Sequence, residues 1–301
     1  MLKDRFGRRV SNLRIAITNR CNLNCFYCHK EGETDPQEEM DIEDIKRICN
    51  VFYDSGVKKV KITGGEPLLR KDIYDIIQSM PPFKEISMTT NGTLLSKKAQ
   101  DLADAGLSRV NISLDTLNEK KFRDVTGGDV NKVVEAIYAA NEANLNPIKV
   151  NMLILKGVNE TEVDEMLEFT SQFNQNGVNV ILQVIENLSL PGMEEYYLDI
   201  SPIEKKYSDL AESVVVREMH KRRQYAIKRS LIEFVKPLHN SEFCQHCNRI
   251  RVTSDGKIKP CLLRNDNLID VKDLNGKELL EAVKKAVSLR EPFFCDSRKP
   301  E

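Results

Sequence analysis

The chain has 301 residues, 41% of them hydrophobic and 30% charged, with a formal net charge of -1. That supplies a large core and a charged surface, and it excludes the global positive field of a general nucleic-acid binder, so any anion site must be local. No stretch approaches the ~18 apolar residues of a membrane span, and Met1 to Val10 is charged throughout; a cytoplasmic protein without membrane partners is expected.

Short β-rich runs alternate with helical patterns: Leu13 to Thr18, Lys59 to Thr63, Glu85 to Thr90, Arg109 to Asp115, Ile148 to Leu155 and Val178 to Glu186. Strands separated by helices predict a parallel sheet, and six of them predict an α/β fold of the incomplete (β/α)6 TIM-barrel type. After the first run, Asp41 is placed to cap a helix with an apolar face of Ile42, Ile45, Ile48 and Phe52, closed by Ser55-Gly56. Cys49, beside that face, reads as a small buried hydrophobe.

Within the runs, side chains alternate between two faces. Leu13, Ile15 and Ile17 oppose Arg14, Ala16 and Thr18; Val110, Ile112 and Leu114 oppose Asn111, Ser113 and Asp115; Val150, Met152 and Ile154 oppose Lys149 and Asn151. If helices cover the apolar set, the polar set faces a barrel interior that a packed core would fill with Val, Ile and Leu, which predicts a ligand cavity. An antiparallel sheet with one wet face is the alternative. The alternation fades after Pro191, dividing the chain into a barrel, residues 1–190, and a distinct C-terminal region, residues 191–301. The basic run His220 to Arg223 and the pair Lys228-Arg229 read as a solvated face.

Six of the eight cysteines fall into two tight groups, which is metal-ligand clustering in a reducing compartment and not a disulfide framework. Cys21, Cys25 and Cys28, spaced CxxxCxxC, follow the first strand, so their thiolates sit at the rim where barrels place chemistry. Three thiolates on a four-iron cube leave one iron open for a ligand; a zinc site is the alternative, without a fourth ligand at finger spacing. His29 is adjacent, and Thr63-Gly64-Gly65-Glu66-Pro67 follows the second strand with glycines that permit close backbone approach to a ligand.

With Tyr27 before the last cysteine, this pattern resembles the radical S-adenosylmethionine (SAM) superfamily. The resemblance implies a 4Fe-4S cluster on Cys21, Cys25 and Cys28, with SAM on its open iron and in contact with Tyr27, Gly65, Ser113 and Leu188. It assigns no catalytic side chain, because the radical derives from SAM.

Near the C-terminus, Cys244 and Cys247 are followed by an Asp255-Gly256 turn that can return Cys261 beside them. A zinc ribbon completed by His246, His239 or Cys295 is the alternative to a second cluster. Arg249 and Arg251, two apart on an extended segment, point the same way as a fork for phosphate oxygens, and inward-facing Arg14 and Lys149 add charge.

This segment and the opening DRFGRRVSNLRIAITNRCNLNCFYCHKEG resemble the GTP 3',8-cyclase family of molybdenum-cofactor biosynthesis. The resemblance implies a second 4Fe-4S cluster on Cys244, Cys247 and Cys261, and a GTP substrate contacted by Arg14, Lys61, Thr89, Lys149, Arg249, Ile250 and Arg251. It also implies an electron donor such as ferredoxin or flavodoxin, a downstream cyclic pyranopterin monophosphate synthase, and allows a homodimer. Lys61, Gln183 and Leu188 depart from residues common in the family, and the chain ends Ser297 to Glu301 without a Gly-Gly tail, for which either other residues substitute or activity is reduced. A peptide-modifying radical SAM enzyme and an iron–sulfur nucleotide sensor are the competing readings.

Overall fold

The computed structural model describes residues 1–33, 38–188, 191–238 and 240–293. Strands β1 (Asn12–Ala16), β2 (Lys59–Thr63), β3 (Glu85–Thr90), β4 (Arg109–Ser113), β5 (Ile148–Ile154) and β6 (Val180–Glu186) are the six central ones. Between them run helices α1 (Ile42–Asp54), α2 (Ile73–Ser79), α3 (Ala99–Asp104), α4 (Glu119–Thr126), α5 (Val130–Glu142) and α6 (Val163–Ser171). Every strand expected from the sequence is present, with ends displaced by one or two residues where loops begin. Neighbours pair in parallel in chain order, as βαβ crossovers require.

The first helix shows why these segments fold locally. The Asp41 carboxylate accepts from the Asp44 backbone N–H at 2.8 Å while Asp44 reaches back to Asp41, a reciprocal cap. Ile45, Ile48, Cys49 and Phe52 are buried, and Gly56, at φ +93°, ends the run. Their partners are Leu13, Ile15, Val60 and Ile62 on the outer sheet face, so helix and strand patterns meet in one continuous core. Each fully buried Leu or Ile contributes roughly 1.5–3 kcal/mol.

The C-terminal region adds α7 (Ser201–Leu210), β7 (Ser213–Val216), β8 (Arg223–Ile227), β9 (Ser230–Val235), α8 (Ser241–Gln245), β10 (Arg249–Val252), β11 (Lys257–Lys259), β12 (Ile269–Asp270) and α9 (Gly276–Ser288). It extends the sheet at both edges: β9 pairs in parallel with β6, and β10 in parallel with β1. The order is β12-β11-β10-β1-β2-β3-β4-β5-β6-β9-β8-β7. The incomplete barrel therefore gains a parallel strand on each flank, and the flank beside β1 carries the second cysteine group. No helix among the described residues is long and apolar enough to cross a membrane.

Candidate active site

The polar strand faces line one cavity of about 430 Å³, with Arg14, Lys61, Thr89, Asn111, Ser113, Lys149 and Asn151 in its wall. Arg249, Arg251, Cys244, Cys247 and Cys261 close it from the C-terminal flank, and Tyr27 and Leu188 from the rim. Two residues expected in contact with ligands are placed elsewhere. Ile250 alternates to the far face of β10 and is fully buried in the apolar core, so only its backbone can serve the cavity. Gly65 is not in the cavity wall. A Cβ there would collide with the Arg20 carbonyl, and one at Gly64 with the Thr18 carbonyl. The close approach these glycines permit is to the chain leading into the first cysteine loop, where the Glu66 N–H donates to Arg20 O at 2.7 Å.

That loop presents Cys21, Cys25 and Cys28 at the rim. Cys21 Sγ accepts from the Leu23 N–H at 3.5 Å, and Cys28 Sγ from the Lys30 N–H at 3.4 Å, donors that favour thiolate and tune a cluster. Burial, Asp115 and the neighbouring Cys28 and Cys21 push the Cys25 thiol up to about 12, a repulsion that bound iron removes. Tyr27 donates to Asp115 at 2.5 Å, tying the loop to the end of β4. Among the described residues no three His, Cys, Asp or Glu side chains converge on a single metal ion; a four-iron cube, whose corners hold its ligands apart, makes no such demand.

The second group is braced from the N-terminus. Arg290 donates to Cys247 O at 2.5 Å and to Asp4 at 2.9 Å, and Arg8 donates to Cys244 O at 2.9 Å and pairs with Asp4 at 2.7 Å. Burial raises the Cys247 thiol, but Arg290, Arg249 and Arg251 outweigh it and hold the group below its ordinary value. His246 Nδ1 donates to the Glu242 carbonyl, 2.9 Å away at the end of α8. His239 and Cys295 lie outside the described residues.

Charge inside the cavity is unbalanced, with twelve Lys and Arg lining it against five Asp and Glu. Glu233, fully buried, meets Lys149 at 2.8 Å and Arg222 at 2.7 Å, and accepts from Gln183 at 2.7 Å and Gln224 at 2.6 Å. One carboxylate shared among several cations is itself well compensated, and Lys149 and Arg222 hold Glu233 down at about 2 against its burial. The cations are not: burial, with Arg222 and Arg217 adding to it, brings Lys149 down to about 7 despite Glu233. Lys61 donates to Asn111 at 2.7 Å, and burial beside Arg109 and Arg14 depresses it strongly. Arg14 meets Glu31 at 3.5 Å and Arg222 meets Glu233, yet among the described residues Arg14 Nε, Arg222 Nε and Arg251 Nε are buried without hydrogen-bond partners. Buried cations that outnumber the carboxylates beside them mark a polyanion site.

Arg109, Arg217 and Arg222 in the cavity wall, and Glu233 bonded to Lys149 and Arg222, were not expected at the site. The basic run is a solvated face only in part: Arg223, Lys228 and Arg229 are exposed, whereas His220 and Arg222 line the cavity. His220 and Lys221 adopt φ of +63° and +50°, a reversal of the chain just before Arg222 and β8.

Family models match residues 15–170 as the radical SAM superfamily and 182–294 as Molybdenum Cofactor Synthesis C. A probable GTP 3',8-cyclase of Archaeoglobus fulgidus is 58% identical over 295 residues, 98% of this chain and 99% of that protein. One of Methanocella arvoryzae is 45% identical over 296 residues, covering 98% and 95%. Among solved structures, Streptococcus suis SuiB bound to precursor peptide SuiA superposes with a TM-score of 0.67 at 18% identity, covering 92% of this chain and 67% of that one. At that identity the likeness shows the fold alone. The chain belongs to the radical SAM superfamily, with its 4Fe-4S and SAM chemistry, and within it to the GTP 3',8-cyclase family.

Proposed function

We propose that this chain converts GTP to (8S)-3',8-cyclo-7,8-dihydroguanosine 5'-triphosphate in molybdenum cofactor biosynthesis. The observation that carries the reading is the cavity in which under-compensated cations, Arg14, Lys61, Lys149, Arg249 and Arg251 among them, share a wall with Cys244, Cys247 and Cys261 and with Tyr27 of the first cysteine loop. Residues 1–190 would carry the first cluster on Cys21, Cys25 and Cys28 and the SAM contacts at Tyr27, Ser113 and Leu188, with Gly65 holding the cysteine loop in place. Residues 191–301 would carry a second 4Fe-4S cluster on Cys244, Cys247 and Cys261 and the Arg249–Arg251 fork. When bound, the first cluster and SAM supply a 5'-deoxyadenosyl radical able to abstract the ribose 3'-hydrogen.

The chain's part is placement and exclusion of water. The cations fix the triphosphate at one end, which limits where the ribose can lie and raises the effective concentration of the reacting carbons. The strand wall carries few acidic groups of its own, so the charge of GTP completes it instead of repelling it. A ferredoxin- or flavodoxin-type donor, a downstream cyclic pyranopterin monophosphate synthase, a cytoplasmic setting and a homodimer belong to the same reading.

Anaerobic reconstitution with iron and sulfide, followed by SAM, a strong reductant and GTP, tests it by mass spectrometry of the nucleotides. About eight irons per chain, with 5'-deoxyadenosine and a GTP isomer formed together, is the expected result. Deoxyadenosine with GTP untouched would move the chain to a peptide or another substrate; neither product would leave a nucleotide sensor.

A further inference from the structure

His220 stands out because two unfavourable features coincide there. Its backbone is left-handed, at φ +63°, which a residue with a β-carbon disfavours. Its side chain is only 6% exposed, lines the cavity, and among the described residues finds no hydrogen-bond partner for either ring nitrogen. The ring is nevertheless fixed: it lies flat on Phe243, with centroids 3.7 Å apart and planes 22° from parallel. The His220 N–H donates to His246 O at 3.1 Å, and Arg249 donates to Met219 Sδ at 3.4 Å beside it. A buried polar ring held rigidly and left unpaired in a cavity wall points to a ligand that pairs it.

What it pairs with follows from what it offers. Burial, together with Arg249, Arg222, Arg251 and Arg290, keeps the ring neutral, with one N–H donor and one acceptor nitrogen. A triphosphate presents only acceptors and already has guanidinium donors, so it would leave the acceptor nitrogen orphaned. Guanine presents N–H donors on its base-pairing edge. We infer that His220 is a nucleotide-contacting residue whose ring nitrogen accepts a hydrogen bond from that edge of guanine, with Phe243 as its backing. The assignment rests on the cyclase reading.

The test compares binding of GTP and of inorganic tripolyphosphate to anaerobically reconstituted wild type, H220F and H220Q. Phenylalanine keeps a ring on Phe243 and removes both nitrogens; glutamine returns an acceptor oxygen. H220F should lose about tenfold in GTP affinity and retain its affinity for tripolyphosphate, with H220Q between it and wild type. Unchanged GTP affinity in H220F, or an equal loss for both ligands, overturns the assignment. A wild type that binds tripolyphosphate but not GTP overturns the substrate reading instead.

Discussion

The two cysteine groups offer the same three thiols in opposite electrostatic settings. The first sits at the rim beside Asp115, and burial, that carboxylate and the neighbouring thiols all push Cys25 up. The second sits among arginines that hold Cys247 down against its burial. Identical donors on unlike ground argue for unlike work: a rim site open to a cofactor that brings its own charge, and an inner site that shares its cations with a polyanion. The loop following one strand builds the first, whereas the second depends on Asp4, Arg8 and Arg290 from the two ends of the chain.

Separating the groups by mutation gives the largest expected effect. Cys25→Ala should abolish SAM cleavage, whereas Cys247→Ala should still form 5'-deoxyadenosine without any cyclised nucleotide. Deoxyadenosine is measured in both variants, and retained cleavage in Cys25→Ala would refute its role as a ligand.

Next in size is the buried hub. Glu233→Gln leaves Lys149 and Arg222 without their carboxylate in a closed site, and breaking one side of a buried pair costs about 3–5 kcal/mol. Denaturant unfolding should show that loss, and tripolyphosphate should restore part of it, because the anion replaces the missing charge. A variant as stable as wild type would mean that the cations are compensated in some other way.

The same contrast explains what was legible in the sequence. The rim group follows a strand whose alternation, Leu13-Arg14-Ile15, is local, so cysteine spacing and strand face together located it. The inner wall was half legible: Arg249 and Arg251 share a strand face, and Lys149 showed as a polar residue in an apolar run. Glu233, alone among the apolar residues of β9, was a visible anomaly, but its partners lie on β5 and in the turn before β8. Pairing of β9 with β6 and of β10 with β1 joins distant segments, which no local period encodes. The run from His220 was read from its charge alone, which fits exposed Arg223, Lys228 and Arg229 but not His220 and Arg222, brought to the cavity by a turn with two left-handed residues.

Arg251→Ala removes one guanidinium from the inner wall and should weaken GTP binding roughly tenfold to a hundredfold, as charged hydrogen bonds do, while SAM cleavage persists. Equilibrium binding checks it, and unchanged affinity would remove Arg251 from the triphosphate site.

The smallest expected effect is a proton. Lys149, brought down to about 7 by burial and by neighbouring Arg222 and Arg217, is only partly charged near neutrality. A bound triphosphate favours its protonated form and raises its value, so binding should take up protons above about pH 7, and affinity should fall as pH rises through that region. Calorimetry in buffers of different ionisation enthalpy reads the uptake directly. Lys149→Arg, charged throughout this range, should abolish that part of the pH dependence; a wild type whose affinity is flat from pH 6 to about 9 would show that Lys149 is already charged before the anion arrives.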